Sequence, residues 1–563
     1  MVTAVETTVR KLFQGTTQYQ VPLYQRPYQW GKKDWKTLWS DVMELMEDRE
    51  AGIQRTHFIG SLVLAQSPTS VAGGVSRHLV VDGQQRLTTI SILLAALRDL
   101  NVEDGKLYSQ INEEYLINRF EEGDARLKLL PTQIDRPTYR PIVGKEAIEL
   151  EDNQISSAYR FFIREIKKLI SDDDDWLPCI TRLYETVTDG LSLVSISTHP
   201  DDNVHRIFQS LNNTGLKLTQ GDLLRNYIFM LLPNRGEEIY HRYWRPMQET
   251  LENSQLEDLF WIDLARTHAT AKISDTFFHH QKRLDAMEKE DDVAQEVKRL
   301  AELAQVYRLI LHPHMEDNPT IALRLRRLQE LDMTVPHSLV LEVLRRRQNG
   351  LATEAQVERA LLIIESFLIR RIFMAKATQG LNRTFRESVS AITGDSPVDE
   401  EIHQWLSQGR KYYYSDAEIL ETLPEIAFFQ NGKPATRKVL LQWLEEEHRS
   451  KEPVRTASLT IEHVMPQTLS EEWVDYLQGR YPGENIYALH EKYVHTIGNL
   501  TLTGYNSELS NRDFRAKKEK YSESGIRLSS DIAVQEEWGF DEIKARTERM
   551  ITRILMTWPA PLF

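Results

Sequence analysis

Residues 77–100, RHLVVDGQQRLTTISILLAALRDL, change hydrophobic period in the middle of one short run. Leu79, Val80 and Val81 form a continuous apolar stretch of the kind a buried strand uses. From Leu87 onward the apolar positions Leu87, Ile90, Leu93, Leu94 and Leu97 recur at helical spacing. A strand feeding a helix directly commits this part of the chain to a mixed α/β layer, since each element needs the other's apolar face. Between them lie Asp82, Gly83, Gln84, Gln85 and Arg86, where such a layer presents the amides of a helix N-terminus. Gly83 permits close approach of the backbone, and Arg86 supplies a bidentate donor for phosphate oxygens. Gln84 and Gln85 can donate and accept hydrogen bonds, and Asp82 can hold a metal-bound water or a ribose hydroxyl. The same five residues also suit a capped helix with a surface arginine. The turn alone leaves both readings open.

Two further runs extend the sheet, HFIGSLVLAQ at 57–66 and LSLVSIST at 191–198. After the second, Asp202 or Asn203 can cap a helix ending near Leu211. Asn212, Asn213 and Gly215 then make a turn, and Thr219 can cap the next helix. Trp35, Leu38, Trp39 and Val42 recur at helical spacing and belong to a core, whereas Tyr24–Tyr28 forms a rigid aromatic and polar segment suited to lining a pocket. The acidic run Asp172–Asp175 reads as a solvated loop and helix start. From about 235 to 445 the pattern is helical without strands or a fixed repeat, and the character changes again after RSKEPVRTASL at 449–459. A chain of 563 residues exceeds a single core. The expected architecture is therefore multidomain α+β and predominantly helical, divided as 1–234, 235–445 and 446–563.

Several function classes are excluded. No apolar run reaches the roughly 18 residues of a membrane span, and MVTAVETTVRKLF is not patterned as a secretion signal. The single cysteine, Cys179, rules out internal disulfides and cysteine zinc ribbons and suits a reducing cytoplasm. No GxxxxGK[ST] loop occurs. A net charge of −14 argues against coating nucleic acid through bulk electrostatics, but not against a local basic grip. Candidate clusters are Arg324, Arg326 and Arg327, then Arg345–Arg347, then RDFRAKKEK at 512–520; each also fits a solvated helix face.

The richest chemistry lies near the C-terminus, in LTIEHVMPQTLSEEW (459–473) and HTIGNLTLTGYNSELSNRDFRAKKEKY (495–521). His463 follows an acid at the end of a strand candidate, and Pro466 turns the chain soon after. Gly498 presents Asn499, and Asn506 stands where a short helix can begin. A ββα metal-finger nuclease needs a histidine base, hard oxygen ligands for a divalent cation and basic residues on the phosphodiester. The region resembles the His-Me finger (HNH-type) domain of GmrSD-type restriction endonucleases over Ile461–Gln467 and Ile497–Lys517. The resemblance implies His463 as general base, Asn506 as metal ligand on the helix, and Glu462 in the place of the usual aspartate ligand. It implies Asn499 as a loop-fixing or directly catalytic residue, and Lys517 and Lys518 as phosphate contacts. Glu462 is longer than that aspartate, and the zinc cysteines of many HNH proteins are absent, so packing must hold this finger. A histidine zinc site from His463, His490 and His495 is the alternative.

The segments YQRPYQW, HFIGSLVL, VVDGQQRLTT and FQSLNNTGLKLTQGDLLRNYIF together resemble the ParB/sulfiredoxin-like N-terminal domain of the same family, and ESFLIRRIFMAKATQGLNRTF (365–385) looks familial too. That resemblance implies nucleotide binding and hydrolysis at Asp82, Gly83, Gln84, Gln85 and Arg86, with Arg26 as a second anion contact. Pro27, Tyr28 and Gln29 would face modified DNA. Asn212, Asn213 and Asp222 match a second motif of unassigned role. The implied enzyme nicks or cleaves double-stranded phage or otherwise modified DNA in defence against phage. Its cofactors would be Mg or Mn and GTP, UTP or ATP, and a homodimer is possible for such a chain. A small apolar slot at Pro27 and Tyr28 suits phosphorothioate better than the alternative, glucosylated hydroxymethylcytosine. Rivals of another class are a non-catalytic ParB-like DNA-binding protein and a sulfiredoxin-type enzyme, the latter disfavoured because Cys179 lies far from the turn in sequence.

Overall fold

The computed structural model describes residues 3–22, 25–66, 75–101, 105–145, 151–171, 176–198, 219–268, 270–376, 380–448 and 456–562. Tyr24, the run Asp172–Asp175, the cap at Asp202 or Asn203, and Asn212 and Asn213 lie outside the described residues. The chain divides into two units: Met1–Pro246 with Phe277–Lys298, and Met247–Thr276 with Arg299–Phe563.

The first unit is built on a mixed six-stranded sheet. In chain order its elements are β1 (Thr3–Thr8), α1 (Val9–Phe13), β2 (Thr17–Gln20), α2 (Lys32–Glu50), β3 (His57–Gln66), β4 (Ser76–Asp82), α3 (Gln84–Leu100), β5 (Leu129–Leu130) and β6 (Leu191–Thr198). The spatial order is β1-β6-β3-β4-β2-β5. β3 runs antiparallel to β4 and parallel to β6, which leaves both of them well inside the sheet. Side chains alternate across a strand, so the neighbours Val80 and Val81 serve opposite faces. Val80 joins the large core shared with α2 and α3, while Val81 packs with Val63 and Ile196. Trp35, Leu38 and Val42 of α2 are buried in that core at the spacing the sequence predicts. α3 is buried nearly all round, with Thr88, Thr89 and Ser91 as well as its leucines out of solvent.

The second unit is mostly helical. Its central helix Glu354–Phe373 carries two charged residues with no exposure, Glu365 and Arg370. Both are satisfied by the chain terminus: the Trp558 indole donates to Glu365 (2.7 Å), and Arg370 donates to the Trp558 carbonyl (2.6 Å). Near its end the unit holds a two-stranded antiparallel ribbon, β7 (Thr460–His463) and β8 (Leu500–Thr503), with His463 opposite Leu500. Short helix Asn506–Leu509 and helix Phe514–Ser522 follow. Val464, Met465, Trp473, Phe514, Trp538 and Phe540 form their core, so apolar packing supplies the cohesion that cysteine-bound zinc gives elsewhere. Among the described residues no helix is long and apolar enough to cross a membrane.

Candidate functional site

In the first unit the Asp82–Arg86 turn joins β4 to α3. Gly83 adopts φ +93°, and a Cβ there would stand 2.9 Å from Leu62 Cδ1 and 3.1 Å from the Ser61 carbonyl oxygen. Only glycine meets both conditions. No side chain caps α3, so its first amides depend on partners outside the helix. The two glutamines face inward, toward the 25–30 segment. Gln84 Nε2 donates to the Arg26 carbonyl (3.1 Å) and to Gln25 Oε1 (3.3 Å). Gln85 Oε1 accepts from the Gln29 and Trp30 amides (2.8 and 3.3 Å), and its Nε2 donates to the Pro27 carbonyl (3.2 Å). Arg86 donates to the Ser61 carbonyl (2.7 Å) and lies over Gly60. The turn is thus a clamp for the 25–30 backbone. What it leaves for a ligand is the helix end, the Asp82 carboxylate and the half-buried Arg26 guanidinium, which have no side-chain partner among the described residues.

Tyr28 does not face outward as expected. Its ring is buried, its hydroxyl meets Thr89 Oγ1 (2.7 Å) and accepts from the Trp35 indole (2.8 Å), and burial raises its pKa. Its amide donates to Asp135 Oδ2 (2.9 Å), a carboxyl whose pKa burial raises. Of the three neighbours expected on DNA, Gln29 is exposed and Pro27 is half-buried.

In the second unit β7 and β8 bring together residues more than thirty positions apart. His463 Nε2 lies 3.2 Å from His495 Nδ1. Asn499 is wholly buried, and its carboxamide is fully engaged with backbone and indole. Oδ1 accepts from the Met465 amide (2.8 Å) and the Trp538 indole (3.2 Å), while Nδ2 donates to the Met465 and Val494 carbonyls (2.8 and 2.9 Å). That is a loop-fixing role, and it leaves Asn499 no hand for substrate. Gly498 sits under helix Phe540–Thr557, where a Cβ would come within 2.3 Å of the Ile543 carbonyl oxygen. Arg546 on that helix donates to the Gly498 and Leu500 carbonyls (2.7 Å each). Asn506 Nδ2 donates to the Ile461 carbonyl (3.1 Å), which ties the short helix to β7.

Two expected roles meet a different geometry. Lys517 has no exposed surface; its ammonium donates to Glu462 Oε1 (2.6 Å) and to the His463 carbonyl (2.8 Å). A phosphate cannot reach it, and Glu462 already holds a cation. Burial raises the Glu462 pKa against the opposing pull of Lys517, and burial lowers that of Lys517. Lys518 is half-buried and pairs with Glu536 at 3.3 Å. Arg512 and Arg515, which belong to the 512–520 basic cluster, are exposed and make no ion pair among the described residues. The other basic clusters find carboxylates within the chain: Arg345 and Arg346 pair with Glu342, Arg347 with Glu316, and Arg324 and Arg327 with Glu365. His490 Nε2 contacts the Pro466 carbonyl (2.8 Å), which separates it from the His463–His495 pair as a zinc ligand.

Phe429, which no motif marks, covers the histidines. Its ring stands edge-on to His463 with centroids 4.4 Å apart and stacks on His495 at 5.7 Å. Its amide donates to the His495 carbonyl (3.0 Å). Burial, reinforced by His495, Lys517 and His490, lowers the His463 pKa from 6.5 to about 3. The imidazole is therefore neutral and weakly basic in this setting. Between those two values the unfolded chain binds the extra proton, so stability is full above pH 6.5 and declines as pH falls through the window. From pH 6.5 to 5 this histidine alone costs about 2 kcal/mol. Thermal unfolding followed by circular dichroism should show that loss, and His463→Phe should remove it from the pH slope. An unchanged slope in the variant would show that His463 is not the group titrating.

A family model described as GmrSD restriction endonuclease, N-terminal domain, matches residues 9–229. A second, GmrSD restriction endonucleases, C-terminal domain, matches residues 413–553. A search of curated proteins found no match to this chain. The first match contains the β4–α3 turn and the second contains both strands of the histidine ribbon, in the family's order and together across more than half of the chain. The chain belongs to the GmrSD-type restriction endonucleases, the modification-dependent enzymes that cut DNA.

Proposed function

We propose that the protein is a nucleotide-hydrolysing DNA endonuclease of His-Me finger type, gated by DNA modification and serving in defence against phage. The observation that carries the nuclease half is the His463–His495 contact at the end of β7, with Asn506 bonded to that strand and with exposed Arg512 and Arg515 just before and within helix Phe514–Ser522. In this reading His463 accepts the proton of the attacking water. His495 fixes the orientation and tautomer of that ring through the 3.2 Å contact. Arg512, Arg515 and Lys518 hold the phosphodiester. Asn506 fits a hard cation, because its Nδ2 is held by the Ile461 carbonyl and its oxygen remains a ligand; Glu462 does not fit, because Lys517 occupies it. A divalent cation, Mg or Mn, supplies neutralisation of the scissile phosphate and the leaving oxygen when bound.

Residues 1–234 would sense nucleotide and modified DNA with a ParB-like domain, 235–445 would transmit the state, and 446–563 would cut. GTP, UTP or ATP would bind at the end of α3, near Arg26 and Asp82. Gating is supported by the burial of His463 beneath Phe429, since DNA cannot reach the imidazole until that ring moves. Nucleotide and modified DNA would both have to favour the open arrangement, because a ligand shifts an equilibrium only by its differential affinity. Pro27 and Gln29 at the surface beside the turn suit a sulfur-for-oxygen change better than a bulky sugar.

The test is nicking of phosphorothioate, glucosylated and unmodified plasmid, each with and without each nucleotide, alongside nucleotide turnover. Phosphorothioate-dependent nicking with stimulated turnover is expected. Nicking confined to glucosylated plasmid would select the alternative modification. Turnover indifferent to modified DNA, in wild type and His463→Ala alike, would overturn the coupling.

A further inference from the structure

Helix Gln220–Met230 lies against the sheet face opposite α3, where Leu223 packs on the cluster of Val63, Val81 and Ile196. Its first turn is fixed by a reciprocal cap between Thr219 and Asp222. One face of this helix carries Asp222, Arg225 and Asn226 at helical spacing. Arg225 is 5% exposed and Asn226 is 3% exposed. Among the described residues Arg225 makes one ion pair, to Asp222 at 2.6 Å, and its Nε has no hydrogen-bond partner. Both polar atoms of the Asn226 carboxamide are buried without a partner.

That is an expensive arrangement. Each unmet buried polar group costs about 1–3 kcal/mol, and three such atoms lie on adjacent residues. Buried groups of this kind are ordinarily satisfied, so their persistence points to a bound partner. The surroundings say which kind. Burial lowers the Arg225 pKa, Asp222 and Tyr240 oppose that, and the like charge of Arg26 adds a smaller lowering influence. Among the described residues the Arg26 guanidinium makes no side-chain pairing, and its carbonyl is held by Gln84 in the first turn of α3. Leu223 packs on the cluster that contains Val63, and Val63 lies opposite Asp82 in the β3–β4 register, so this helix meets the sheet at the level of the turn and of the uncapped N-terminus of α3. An anion bound there would offset the repulsion between Arg26 and Arg225.

We infer that Arg225 and Asn226 complete the nucleotide site at the Asp82–Arg86 turn, Arg225 gripping with Arg26 a phosphate of a nucleoside triphosphate and Asn226 hydrogen-bonding the same ligand. This rests on the nucleotide-binding reading and adds the opposite wall of the site. Arg225 and Asn226 are positioning residues for the polyphosphate. Both are reached by the first family match, but nothing in the motif itself assigns them a ligand.

The experiment is calorimetric titration of the full-length protein with GTP, UTP and ATP in the presence of magnesium, with tripolyphosphate and with a short DNA duplex. Arg225→Gln should weaken the best nucleotide and tripolyphosphate about 10- to 100-fold, and Arg26→Gln should do the same, with the double variant little worse than either. Asn226→Ala should weaken the nucleotide as well. Because Arg225→Gln strands Asp222, Asp222→Asn with Arg225→Gln provides a second variant, and thermal melting confirms that each is folded. Nucleotide affinity unchanged in a folded Arg225→Gln overturns this inference alone. Loss of duplex binding with nucleotide binding intact would assign the pair to the DNA backbone and likewise overturn it. Absence of any triphosphate binding by the wild type would overturn the nucleotide reading and this inference with it.

Discussion

Replacing His463 with asparagine should lower plasmid nicking by about 10³-fold, within the range that general-base catalysis contributes, while leaving the fold intact. The side chain makes one polar contact, to His495, and one close ring contact, to Phe429. Asparagine retains a polar atom near the imidazole position but has no basic nitrogen. Its thermal midpoint should therefore stay near that of the wild type, and any rate loss belongs to chemistry. Asn499→Ala provides the contrast. It removes four buried hydrogen bonds that hold residues 465 and 494 around the ribbon, so rate and stability should fall together. A folded His463→Asn that kept more than about a tenth of the wild-type rate would remove His463 from the proton-transfer step. The same loss in a His495→Ala protein would mean that the orientation of the ring matters as much as its basicity.

The histidine ribbon and the β4–α3 turn were legible because each rests on local order: a change of period, a glycine, a proline, a fixed spacing. The strands 57–66, 76–82 and 191–198 stood out as apolar runs. β1, β2 and β5 did not. TAVETT and TQYQ are short and polar, and they become strands because β6 and β4 offer them partners. Side-chain direction was the harder quantity. Gln84 and Gln85 read as ligand donors because their real partners, the backbone of residues 26–30, lie far away in sequence. Tyr28 read as a pocket wall for the same reason; its hydroxyl partner is Thr89. The arginine clusters looked like solvated faces or DNA contacts because Glu365 comes from another helix and Glu316 from the connection that follows the turn Pro313–Met315. Phe429 carries no motif, so its place over His463 follows only from three-dimensional packing.

Replacing Lys517 with alanine should destabilise the second unit by about 3–5 kcal/mol, the usual consequence of removing one partner from a buried ion pair. Consecutive residues on a helix are about 100° apart, so Lys517 and Lys518 cannot share a face; Lys517 points into the core and Lys518 outward. Without the ammonium, Glu462 is left 4% exposed with its charge unpaired, and the His463 carbonyl loses a donor. Nicking by Lys517→Ala should fall in step with the folded fraction. The double variant Glu462→Leu with Lys517→Met separates the possibilities, because removing both charges together is close to neutral for a buried pair. If the pair only braces β7 against helix Phe514–Ser522, the double variant recovers the thermal midpoint and most of the nicking rate. If Lys517 held DNA or Glu462 held a cation, the midpoint would recover while nicking stayed lost. Denaturant unfolding and plasmid nicking on the same three proteins decide between a structural strut and a catalytic ligand.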